Sequence, residues 1–252
     1  MNESELKTSK KQRFWISVIA IIMVGSFIAS YAAIIIAGGT SGSGTGSETL
    51  SSERISYYSD KYYKKQAEFE TETKNDFVKF STYLPEIKAY NETSANENGI
   101  QSRDLLVGTG REITDGDTNY LAYYVGWCAD ETIFDSSFNS AESPSAFSKV
   151  LDVSLGMIDG WNTGMIGARI GGVREMTISS EYAYKDQLEI CGGVNKPLKF
   201  IVMPVANEEP LKTLAAELDA AYQMYEMAAY YGIDYEKEME AETEVESTEN
   251  AE

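Results

Sequence analysis

Gly156 to Ile178 reads GMIDGWNTGMIGARIGGVREMTI. One tryptophan, Trp161, stands among six glycines in a stretch that begins as a helix and ends as a strand. Glycine inside a helix costs about 1 kcal/mol relative to alanine, so this spacing serves close packing rather than helix propensity. Ile158, Trp161 and Met165 fall at i, i+3 and i+7, one face of a short helix. The flanking glycines allow tight turns and let that face press onto a curved sheet.

The sheet is written on either side. TNYLAYYVGW (Thr118 to Trp127), VREMTI (Val173 to Ile178) and LKFIVMPV (Leu198 to Val205) are rich in β-formers. Short strands separated by glycine turns therefore fill residues 101–206. Two motifs in this region mislead. Gly108 to Gly110 lacks the third glycine of a dinucleotide loop and the Gly-Lys-Ser/Thr of a P-loop, and reads as a turn. Asp115, Asp117 and Asn119 match the start of a calcium loop, but Tyr120 replaces its glycine and Gly126 its bidentate glutamate.

Composition narrows the chemistry. The chain of 252 residues carries a formal net charge of -19, which opposes binding to the phosphate backbone of nucleic acid. It has no histidine, so Ser-His-Asp and Cys-His catalysis and histidine-based metal sites are excluded. Its two cysteines are too few for a cysteine-only zinc site. No cofactor is called for.

The flanks suggest topology. Phe14 to Ala37 holds no charged residue and exceeds the roughly 20 residues needed to span a bilayer. It is also longer than the apolar core of about 7–15 residues in a cleaved signal peptide. Lys7, Lys10, Lys11 and Arg13 precede it, which puts the basic tail 1–13 in the cytoplasm and everything after Gly38 outside. The expected protein is single-pass in the cell membrane through residues 14–37, with a Gly/Ser linker at 38–50.

A helical arm at 51–95 follows. Ile55, Tyr58, Tyr62 and Phe69, then Phe77, Phe80, Leu84 and Ile87, predict two broken helices ending near Pro85. Their apolar stripe needs a partner, either the adjoining domain or a second copy of the chain. Residues 208–235 predict a C-terminal helix, with Leu211, Leu214, Leu218, Ala221 and Tyr225 on one side. The acidic stretch 236–252 has the composition of a disordered tail.

Between Arg103 and Val205 the motifs DLLVGTG, GD with a following strand, YVGW, FDSSF, MIDGW with GM and GG, and EYAY come in one order. That order resembles the FKBP-type peptidyl-prolyl isomerases. The resemblance implies an α+β fold in which an antiparallel half-barrel sheet wraps one short helix. It also implies a shallow apolar pocket for a proline ring, floored by Trp161. Tyr124, Phe134, Met157, Ile158 and Phe200 match its wall, and Phe147 corresponds to a further wall aromatic. Asp135 and Tyr184 match polar rim positions, where the tyrosine hydroxyl bonds a substrate carbonyl. The partners so implied are proline-containing polypeptides. The arm resembles in placement the N-terminal helices by which some surface members of the family dimerise.

The sequence departs from the family in three places. KDQLEICGGVNKPL stands where a hydrophobic Ile-Pro-Pro-like segment overhangs the pocket, and Lys185 where glycine is common. The arginine often found after the FDSS segment has no counterpart. These changes bear on catalytic rate more than on folding. Cys128 closes one strand and Cys191 sits in the altered loop, and both a bond and two free thiols remain open.

The chemistry implied needs no histidine. Rotating a peptide bond costs about 18–20 kcal/mol because of its double-bond character. Twisting an X–Pro bond removes the conjugation and leaves a less polar carbonyl, which a dry pocket favours over the planar amide. Two rivals stand beside an isomerase: a non-catalytic proline-binding module or holdase chaperone on the same fold, and a membrane protein whose domain is only a scaffold.

Overall fold

A computed structural model describes residues 50–232 and Asp234. The expectations for the basic tail, the apolar run 14–37, all of the linker but its last residue and the acidic tail lie outside the described residues. No helix among the described residues is long and apolar enough to cross a membrane.

The arm is one helix followed by a short turn, not two broken helices. Helix α1 runs Ser52–Ser81, capped by the Ser51 side chain, which accepts from Arg54 N at 3.3 Å. No glycine or proline interrupts those thirty residues, so the two predicted stripes merge into one. Pro85 lies beyond its end, in a 3₁₀ turn at Leu84–Glu86. A six-residue helix, α2 (Glu92–Glu97), leads into the sheet.

Six antiparallel strands follow: β1 (Ile100–Leu106), β2 (Tyr120–Trp127), β3 (Ile133–Ser136), β4 (Leu151–Asp152), β5 (Val173–Ile178) and β6 (Leu198–Ala206). The order across the sheet is β1-β5-β6-β2-β3, with β4 paired to β2. Helix α3 (Asp159–Met165) lies between β4 and β5, and α4 (Glu209–Glu226) follows β6. The predicted C-terminal helix ends earlier than 235. It loosens into a π turn at Met227–Tyr231 and stops at Gly232, whose left-handed backbone terminates it.

Every residue of β2 is buried, because both faces of the sheet are covered. Leu121, Tyr123, Val125 and Trp127 point outward and join Ile201, Met203, Val173, Phe69, Phe80 and Leu218 in one core. This outer layer is the partner of the arm's stripe. Helices α1 and α4 run antiparallel, with Tyr62 packed on Tyr222 and Tyr225 while Lys65 pairs with Glu217 at 2.7 Å. The inner face of β2, carrying Tyr120, Ala122, Tyr124 and Gly126, holds α3. Gly160 and Gly164 make that contact close: a Cβ would stand 2.2 Å from Ile178 Cγ2 at the first and 2.6 Å from Met176 Sδ at the second.

Phe147 belongs to the outer layer, which corrects its expected place in the pocket wall. It is fully buried, stacks on Tyr123 at 3.9 Å and meets Phe77 and Phe80 edge-on at 5.3 and 5.6 Å. Tyr123 is the odd neighbour of Tyr124 on β2, so the pleat puts the two rings on opposite faces. Cys128 and Cys191 are joined, with Cα atoms 5.4 Å apart, tying the end of β2 to the loop before β6.

Phe147→Ala should destabilise the fold by about 3–5 kcal/mol, the cost of emptying a buried aromatic site. Affinity for a proline-containing peptide should change little among the folded molecules. Chemical unfolding and peptide titration of the same variant measure both; loss of affinity without loss of stability would return Phe147 to the pocket.

Candidate functional site

Four aromatic rings meet on the inner face. Trp161, the third residue of α3, is 2 % exposed, and its indole N–H donates to the Tyr120 hydroxyl at 3.3 Å. Tyr124 and Phe200 stand edge-on to it at 5.8 and 5.5 Å. Phe134 of β3 in turn meets Phe200 edge-on at 5.6 Å. Edge-to-face rings of this kind hold one another's orientation by about 0.5–1.5 kcal/mol a pair beyond simple burial. Ile158, at the cap of α3, is buried beside them, and Met157 is half-buried in the preceding turn.

Gly126 decides the shape of this cluster. It pairs with Phe200 across β6 and with Asp135 across β3. A Cβ there would lie 2.6 Å from Phe134 Cζ and 2.8 Å from Phe200 Cε1, so only glycine lets the two rings meet over the strand. The glycine of YVGW thus makes room for the wall.

Polar groups gather on one side. The Tyr124 hydroxyl donates to Asp135 Oδ2, and Ser136 N donates to Asp135 Oδ1 at 2.9 Å. Lys149 Nζ also donates to Oδ1, at 2.7 Å, and sits 5.6 Å from the centre of the Tyr124 ring. Burial holds the Tyr124 hydroxyl well above the ordinary tyrosine value, with the Asp135 charge adding to it. Burial, helped by the same carboxylate, pushes Tyr184 up to about 12. Both hydroxyls are therefore protonated donors at any physiological pH.

The sequence matches that of known proteins. The FKBP-type peptidyl-prolyl cis-trans isomerase profile matches residues 110–203. The FK506-binding protein of Neisseria meningitidis serogroup B is 33% identical over 110 residues, covering 42% of this chain and 92% of its own length. The chain belongs to the FKBP-type peptidyl-prolyl cis-trans isomerases. FK506-binding protein 4 of Neurospora crassa is 35% identical over 89 residues, covering 34% of this chain and 17% of its own. The crystal structure of AtFKBP13 aligns at 27% identity over 45% of this chain and 94% of its own, with a TM-score of 0.33.

Trp161, Tyr124, Phe134, Phe200, Ile158 and Asp135 come together on the inner face, and Phe147 does not. Sequence reasoning missed Lys149. It reaches Asp135 from the loop before β4, thirteen residues beyond Ser136. The altered loop after Tyr184 also has a physical signature. Lys185, Cys191 and Asn195 all hold left-handed backbone angles of 54–56°, where glycine is the comfortable residue.

Gly126→Ala should leave the fold intact and lower affinity for a proline-containing ligand by roughly tenfold or more, since the wall rings must shift by a good part of an ångström. Isothermal titration with a short X–Pro peptide checks it. Unchanged binding would mean that Phe134 and Phe200 do not line the pocket.

Proposed function

We propose that the protein is a membrane-anchored isomerase that assists folding of exported polypeptides by rotating their X–Pro bonds outside the cell membrane. The observation that carries the reading is the Trp161, Tyr124, Phe200 and Phe134 cluster with a paired carboxylate, Asp135, at its polar side. Trp161 receives the proline ring; Tyr124, Phe134, Phe200, Ile158 and Met157 wall it; the Tyr184 hydroxyl donates to a substrate carbonyl. The apolar run 14–37 and its basic flank support the anchor. The Cys128–Cys191 bond supports an oxidising compartment.

The pocket acts by desolvation and ring packing. It favours the twisted, less polar bond over the planar amide, and a directed hydrogen bond adds about 0.5–1.5 kcal/mol. Asp135 and Lys149 neutralise one another and hold Tyr124, so no group in the scheme takes or gives a proton. A second reading, binding without turnover, is favoured by the altered loop, which the disulfide fixes near Tyr184.

The rate of X–Pro isomerisation in a tetrapeptide, measured with the purified full chain, decides between them. Turnover should be nearly flat between about pH 6 and pH 8, since the pocket hydroxyls titrate far above that window. Their raised values mean that the folded state holds these protons more tightly than the unfolded one. Stability from this source is complete below about pH 10 and declines as pH climbs toward 12. Absence of turnover with proline binding intact would favour the holdase, and a steep change between pH 6 and 8 would refute the desolvation scheme. Protease added to intact cells should remove the domain; full protection would refute the topology.

A further inference from the structure

Strand β1 stands at the end of the sheet, with Gln101 to Asp104 exposed. Its register against β5 fixes which backbone groups are free. Ser179 N donates to Gly99 O at 2.8 Å, and the pairing continues through Gln101 with Thr177 and Arg103 with Glu175. Antiparallel alternation then turns the N–H and C=O of Gln101 and Arg103 toward β5, and those of Ile100, Ser102 and Asp104 toward the open side. Among the described residues, no backbone or side-chain hydrogen bond beyond the sheet reaches those outward groups.

The outer face beside this edge is the corner that α1 and α4 leave uncovered. A cleft of about 340 Å³ lies there, floored by Gln101, Arg103, Thr177 and Lys199 and walled by Ser94 of α2 and Asn98 at its C-cap. Its charges are balanced, because Glu175 bonds both Arg103 and Lys199, at 3.3 and 3.0 Å. Thr177 is only 8% exposed, at the floor of the cleft. Asn98, Gln101 and Thr177 line it with amide and hydroxyl groups that can bond a polar side chain.

We propose that β1 and this cleft form a second client surface, which takes an extended polypeptide as an added strand with a hydroxyl- or amide-bearing side chain in the cleft. The inference rests on the reading that polypeptides are the substrates. Donors and acceptors repeating every second residue, about 7 Å apart, match an extended backbone and no other common ligand. A second copy of the chain is disfavoured by the net charge of -19 on each molecule. Arg103 and Asp104 on the edge discourage permanent pairing and keep the contact transient. The edge is also linked to the proline pocket: Ser102 Oγ donates at 2.8 Å to Gly164 O of α3, the helix that carries Trp161. A client held at both places is bound more tightly than at either.

Amide hydrogen exchange of the full chain, with and without reduced carboxymethylated lactalbumin as a permanently unfolded probe, tests this. The amides of Ile100, Ser102 and Asp104 should slow by about tenfold or more with the probe. Ser102→Pro removes an outward N–H without breaking the ladder and should abolish that protection and weaken probe binding; Ser102→Ala, which loses only the hydroxyl, should retain both. Tetrapeptide isomerisation in the same preparation separates the two readings. Unchanged amides with turnover intact overturn the edge site alone, and protection without turnover supports the edge site while refuting catalysis. Protection that grows with protein concentration in the absence of probe would assign the edge to a second copy and overturn the client.

Discussion

Everything in this domain hangs on β2, a strand of eight residues buried on both faces. A sheet with one wet face would alternate polar and apolar residues; YLAYYVGW is apolar or aromatic throughout because helices α1 and α4 seal one side and α3 the other. Odd and even residues then serve different ends. Leu121, Tyr123, Val125 and Trp127 anchor the arm, while Tyr120, Tyr124 and Gly126 face Trp161 and the ring cluster. The ring cluster is thereby fixed from behind: Tyr124 cannot move away from Trp161 without displacing a strand whose other face is locked to Phe147, Phe80 and Phe69.

That backing matters for a reaction with no covalent step. A pocket that works by excluding water and by fitting a twisted bond depends on holding its shape while the substrate changes. The rings around Trp161 are held edge-on by each other, the indole N–H by Tyr120, and Asp135 by three donors from Tyr124, Ser136 and Lys149. The disulfide fixes the loop that leads away from Tyr184. The domain thus places its rigidity around Trp161 and leaves its open edge at β1.

Much of this was legible in the sequence, and for identifiable reasons. Strands β2, β5 and β6 have β-rich runs of the right length, and Trp161 lies on a helical face whose glycines announce close packing. The arm's two apolar stripes predict two helices where there is one: no glycine or proline separates them from Ser52 to Ser81, and Pro85 marks only the far end. Phe147 was not legible. It sits in NSAESPSAFSKV, which has no period, and reaches the core through an isolated bridge to Phe138. Lys149 was hidden for the same reason, since its bond to Asp135 closes across a loop whose path no local pattern encodes. The Cys128–Cys191 pair required knowing that the loop folds back over the end of β2.

The central claim is that the pocket rotates the X–Pro bond by packing and desolvation, with no proton in flight. The solvent isotope effect on turnover of an X–Pro tetrapeptide by the full chain tests this most directly. The account predicts a ratio of rates in H₂O and D₂O close to 1, because the Tyr124 and Tyr184 hydroxyls donate hydrogen bonds and never lose their protons. A ratio of about 2 or more would mean that a proton moves in the rate-limiting step, as in general acid–base catalysis, and would contradict it.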